Sequence, residues 1–109
     1  MSSISSVAAS GMQVASTFMQ VSASNTANLL TDGYQARRVV ATSSSDGSVG
    51  TRTSRDQTPG ARVGDRALSN VDPAREIVDL KTSSFVYSAN AAVIRQDNER
   101  TRSLIDVIA

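Results

Sequence analysis

The chain contains no cysteine and no histidine. The first absence excludes disulfides and thiolate chemistry, and the second excludes imidazole acid–base work. A metal site would have to be all oxygen, and no spacing of Asp or Glu matches a calcium loop. Tryptophan is also missing, aromatic residues make up 4% of the chain, and apolar residues make up 39%. A large aromatic-centred core is therefore excluded. Charge is missing from the whole N-terminal stretch: the first acid is Asp32 and the first base is Arg37. That stretch has no Lys or Arg ahead of its apolar residues and no long unbroken apolar run. We expect neither a cleavable secretory signal nor a membrane span. The 11 bases and 10 acids leave a net charge of +1, which gives no general pull toward nucleic acid or anionic membrane.

What is present falls into three segments. Residues 3–30 read as one long helix. Ile4, Val7, Gly11, Val14, Phe18, Val21, Asn25 and Asn28 follow steps of three and four, a heptad pattern. A parallel stripe of Ala8, Ala15, Met19 and Leu29 widens the face. Eight serines fall within residues 1–24 and lower intrinsic helicity, so this helix needs a partner. The two asparagines, Asn25 and Asn28, are either local caps or buried seam amides that set register. Asp32-Gly33 then breaks the pattern, and Gly33 is expected to take the positive φ that ends helices.

Residues 39–70 are rich in Ser, Thr, Gly, Asp and Arg. "VVATSSSDGSVGTRTS" places two β-prone arms around Asp46-Gly47, a dipeptide favoured in tight hairpin turns. Pro59-Gly60 is a second turn signal. The segment reads as a flexible linker or as a small hairpin. Arg52, Arg55, Arg62 and Arg66 read as a solvated face. Asp46, Asp56 and Asp65 are interleaved with them, which argues against a nucleic-acid surface.

Residues 72–108 carry the longest periodic pattern. Asp72 can cap a helix whose first position is Pro73, and Glu76 suits the first turn. Ile77, Leu80, Ser84, Tyr87, Ala91, Ile94, Asn98, Thr101, Ile105 and Ile108 then keep the heptad step without a slip. Arg95–Glu99 and Arg102–Asp106 lie four apart and are placed to pair. The expected fold is mainly α: long N- and C-terminal helices packed as an antiparallel helical hairpin or coiled coil. A short polar loop or small β-hairpin lies between them. With 109 residues the chain makes one small domain.

Two separated motifs carry a family resemblance. "SASNTANLLTDGYQARRVV" supplies Ser24, Asn25, Ala27, Asn28, Gly33 and Tyr34. "NVDPAREIVDL" followed by "YSANAAVI" supplies Tyr87, Ala89, Asn90, Val93 and Ile94. Together they resemble the bacterial flagellar basal-body rod protein family, nearest to its proximal rod members but with a shorter middle region. The resemblance implies a structural, non-enzymatic axial protein with axial helices over residues 1–33 and 72–109, forming one helical domain, and a connecting segment over 34–71. It implies export from the cytoplasm by the flagellar type III apparatus, without a cleaved signal peptide. It also implies polymerisation with other rod subunits in the periplasm-spanning rod, needed for motility.

The two heptad stripes are then assembly seams, and Asn25, Asn28, Gly33 and Tyr34 are the motif and turn residues. No catalytic residue, cofactor, metal, nucleic acid or small-molecule substrate is expected. Serine is abundant but has no base to activate it, and Tyr87 reads as packing. The competing reading is a soluble coiled-coil adaptor that binds a partner helix.

Overall fold

The computed structural model describes residues 3–109 and is mainly α-helical. Helix α1 spans Ser3–Ala27 and helix α2 spans Pro73–Ile108. Between them lie strands β1 (Arg37–Ser43), β2 (Val49–Arg55), β3 (Arg62–Val63) and β4 (Arg66–Ala67). The molecule is a rod of 74 × 25 × 14 Å. No helix among the described residues is long and apolar enough to cross a membrane.

Helix α2 starts as its sequence dictates. Asp72 is extended, and its side chain accepts from the Ala74 amide at 3.1 Å, with Pro73 taking a position that needs no donor. Helix α1 ends at Ala27, three residues before the expected limit. Asn28 causes the difference by closing a local turn: its Nδ2 donates to the Ser24 carbonyl (2.9 Å) and its Oδ1 accepts from the Thr31 hydroxyl (3.1 Å). Asn28 is thus a cap rather than a seam amide. Gly33 then adopts φ +72°, as its place after the helix requires.

The middle segment is a hairpin, not a linker. Strands β1 and β2 pair antiparallel from Arg37↔Arg55 to Ser43↔Val49. In the connecting turn Gly47 has φ +87°, and Asp46 Oδ1 accepts from the Ser48 amide (2.9 Å) and hydroxyl (2.6 Å). These two donors hold the Asp46 carboxyl below the usual range. The Val49 amide donates to the Ser10 hydroxyl at 3.1 Å and ties the hairpin to α1. A second ribbon, β3–β4, turns at Gly64 (φ +61°). The Pro59-Gly60 signal does not indicate this turn.

The two helices touch through small and polar residues. The contacts run from Ser5–Asp97 through Gly11–Asn90 to Asn25–Glu76. On α1 the buried positions are Ser5, Ala8, Ala15, Val21, Ser22 and Asn25; on α2 they are Glu76, Ser83 and Asp97. On α2 the facing positions Glu76, Ser83, Asn90 and Asp97 are seven apart, so the heptad step is real. The face lies one residue before the apolar stripe. Small side chains allow the helix axes to approach closely, and the bulky stripe is left to the flanks. Neither Arg95–Glu99 nor Arg102–Asp106 closes to an ion pair; Arg100 instead pairs with Asp97 at 2.8 Å.

Two glycines test this backbone. A Cβ at Gly60 would lie 2.1 Å from the Leu68 carbonyl oxygen, a backbone atom that cannot swing aside. Gly60→Ala is therefore expected to destabilise by roughly 1–3 kcal/mol, read as a lower urea midpoint. At Gly33 there is nothing within 4 Å of a Cβ, so only the positive φ is strained. Gly33→Val should cost on the order of 1–2 kcal/mol, read in the same melts.

Candidate assembly interface

Asn25 is fully buried (0% exposed) and uses its whole amide. Its Nδ2 donates to the Arg37 carbonyl (2.9 Å) and to Glu76 Oε1 (3.1 Å). Its Oδ1 accepts from the Arg37 amide (2.9 Å) and the Tyr34 hydroxyl (3.0 Å). One side chain thus joins α1, the turn, β1 and α2. The motif spacing explains why this is possible: Gly33 reverses the chain and returns residues 34–37 to the last turns of α1.

Glu76 is also fully buried (0% exposed). Arg38 Nη1 donates to the same Glu76 Oε1 at 2.8 Å, and Arg38 Nε lies 3.9 Å from Asp56. Glu76 Oε2 and Arg38 Nε have no hydrogen-bond partner within the chain. A polar cavity of about 90 Å³ lined by Asn25, Arg38, Glu76 and Asp79 adjoins them, room enough for water.

Asn70 forms a second clamp. Its Oδ1 accepts from the Ala36 amide (2.6 Å), and its Nδ2 donates to the carbonyls of Asp56 (2.7 Å) and Thr58 (2.8 Å). On the surface Arg66 grips Asp32 through both carboxylate oxygens (2.9 and 3.0 Å). That hydrogen-bonded cation holds the Asp32 carboxyl below the usual range. The stabilisation this carboxylate adds is present above the unfolded pKa of about 3.9 and is lost on acidification through its lower folded value.

The predicted seams divide. On α1, Val21 and Asn25 are buried. Val7, Gly11, Val14 and Phe18 are half-buried, and Ile4 is exposed. On α2, Leu80, Ala91 and Ile94 are half-buried, whereas Ile77, Ser84, Tyr87, Asn98, Ile105 and Ile108 are exposed. Ile77 is 54% exposed and Ile105 58%. The α2 stripe is therefore not the face that packs on α1. Phe85 (74% exposed), Val78 and Val86 extend the exposed apolar surface, and Leu104 and Val107 continue it to the C-terminal end. Helix α2 has 36 residues and α1 has 25. Ser5 already lies against Asp97, so the last turns of α2 run past the described part of α1.

The sequence reading missed Glu76 and Asn70 as interior groups. Glu76 sits on the helix face that also carries Ser83, Asn90 and Asp97, a polar heptad that could have been read beside the apolar one. Asn70 gives no periodic signal. Among the described residues no group of acids is placed to hold a metal. No protein-family model matches the chain, and no curated protein is significantly similar to it.

The clamp generates a prediction. Asn25→Ala leaves the Arg37 amide, the Arg37 carbonyl and the Tyr34 hydroxyl without their partner. The expected loss is about 2–4 kcal/mol. Asn25→Asp removes both Nδ2 donors and sets a carboxylate against Glu76, so it should destabilise more than alanine at neutral pH. Urea denaturation of the three proteins checks the order.

Proposed function

We propose that this protein is a structural, non-enzymatic subunit of the bacterial flagellar basal-body rod, of the proximal type. Its two helices form an antiparallel helical hairpin whose outer apolar stripes pack against other copies and related subunits. The observation that carries the reading is the exposed stripe of α2. Phe85, Ile77, Ile105, Val107 and Ile108 are all more than half exposed on one small chain. Apolar surface of that extent points to a protein interface. The rod-family motif residues add to it. Asn25 and Tyr34 bond to each other, and Gly33 supplies the turn between them. A motif that builds the junction between helix and hairpin suits a subunit whose helices lie in a tube and whose hairpin faces outward. Export through the type III apparatus and residence in the periplasm-spanning rod belong to the same proposal.

The adaptor reading predicts a different solution behaviour. A soluble adaptor is a discrete, stable oligomer, whereas a rod subunit grows without a fixed size. Ile105→Asp and Ile77→Asp place a charge on the exposed stripe without touching the α1–α2 contact. Both should keep the wild-type far-ultraviolet circular dichroism of the dilute chain, abolish polymer growth in light scattering and abolish swimming in a complemented strain. Burying such a side chain is worth about 1.5–3 kcal/mol per contact, repeated in every copy. Arg62→Ala, on the short second ribbon, should swim normally. Stripe variants that polymerise and swim like wild type would contradict the assignment.

A further inference from the structure

The first rung of the hairpin pairs two arginines. Arg37 lies directly opposite Arg55 in the antiparallel register, so both side chains leave the same face of the ribbon. Like charges in that relation are unfavourable. Among the described residues neither guanidinium has a carboxylate within 4.0 Å. Asp32 borders the same pocket, but both of its oxygens are taken by Arg66.

The surroundings hold one arginine firmly in place. The Arg37 backbone is fixed at both its amide and its carbonyl by Asn25. Its Nη2 donates to the Ser24 hydroxyl at 2.9 Å, which leaves the Ser24 hydroxyl proton free to be donated onward. Arg37, Arg55, Ser24, Gly33, Tyr34 and Gln35 line an open pocket of about 370 Å³. Two guanidinium groups and a hydroxyl lining one polar pocket match an oxyanion, which accepts from planar N–H pairs. A neutral ligand would leave the like-charge pair uncompensated.

We propose that this pocket at the base of the hairpin binds an oxyanion, a single phosphate or carboxylate group held between Arg37 and Arg55. The group is either a free anion or an acidic side chain of a second copy of this chain.

The test is calorimetric titration of the full chain with inorganic phosphate, against sodium chloride at matched ionic strength. Wild type should bind one phosphate per chain. Arg55→Gln should weaken binding roughly tenfold or more by losing a charge-assisted pair. Arg52→Gln, whose register partner is Val40, should bind as wild type does. A second variant does not depend on measuring weak binding. Arg55→Glu turns the repelling pair into an attracting one, so it should melt above wild type without phosphate and lose wild type's phosphate-induced rise in melting temperature. Sedimentation with and without phosphate identifies the source. Self-association that phosphate weakens in wild type but not in Arg55→Gln assigns the group to a second copy, and self-association indifferent to phosphate assigns a free anion. No phosphate heat above the chloride control, or equal binding by wild type and Arg55→Gln, would overturn the site.

Discussion

The structure depends on the side chain of Asn25. It is buried in the last turns of α1, and all of its donor and acceptor capacity is used within the chain. A two-helix protein of this size has little apolar area with which to fix the angle between its parts. An amide that bonds the turn, the first strand and the second helix does so by direction rather than by bulk. The arrangement also accounts for the buried charge. Glu76 is tolerable in the interior because Asn25 and Arg38 both donate to it, whereas an unpaired carboxylate there would be strongly unfavourable.

The second constraint is the smallness of the contact between the helices. Serine, alanine and glycine on α1 face serine, asparagine and acids on α2. Gly11 approaches Asn90 so closely that a Cβ would lie 2.8 Å from its amide. Among the described residues the buried apolar side chains are Ala8, Ala15, Val21, Ala36 and Val71. Against a backbone ordering cost of about 1–2 kcal/mol per residue, such a core leaves the isolated chain marginal. The large apolar side chains that would ordinarily offset that cost point outward on α2. In the proposed assembly they would stabilise the fold once another chain covers them, coupling folding to association.

Much of this was legible in the sequence, and the misses have physical causes. Both helices were marked by heptad spacing, and the start of α2 by Asp72-Pro73. Gly33 and Asp46-Gly47 announced their positive φ through turn chemistry. On α1 the face was read with Val21, Asn25 and the parallel Ala8 and Ala15, all of which are buried. The face of α2 was misjudged by one residue because the rule follows the largest apolar side chains. Here those side chains flank the contact, and small residues at Ala8 and Ala15 make it. Glu76 was read for its favourable place in the first turn, which hid its burial. That burial depends on Arg38 and Asn25, brought together from distant parts of the chain. The β3–β4 ribbon is too short to give a periodic signal, and its two-residue turn dipeptide Gly64-Asp65, which suits a tight hairpin, was overlooked beside Pro59-Gly60. Asn25 was read as either a local cap or a buried seam amide, and its four bonds could not be assigned from one sequence.

The central claim is that the inner contact leaves the chain marginal and that other copies complete it through the outer stripe of α2. Helix content and mass should then rise together. The most direct measurement is far-ultraviolet circular dichroism and sedimentation velocity on the same samples over a concentration series of the purified chain. The account predicts partial helicity in the dilute monomer, with α1 the less ordered helix, and a gain in helix that tracks the appearance of larger species. A dilute monomer that is already fully helical, melts sharply and shows no association at high concentration would contradict it.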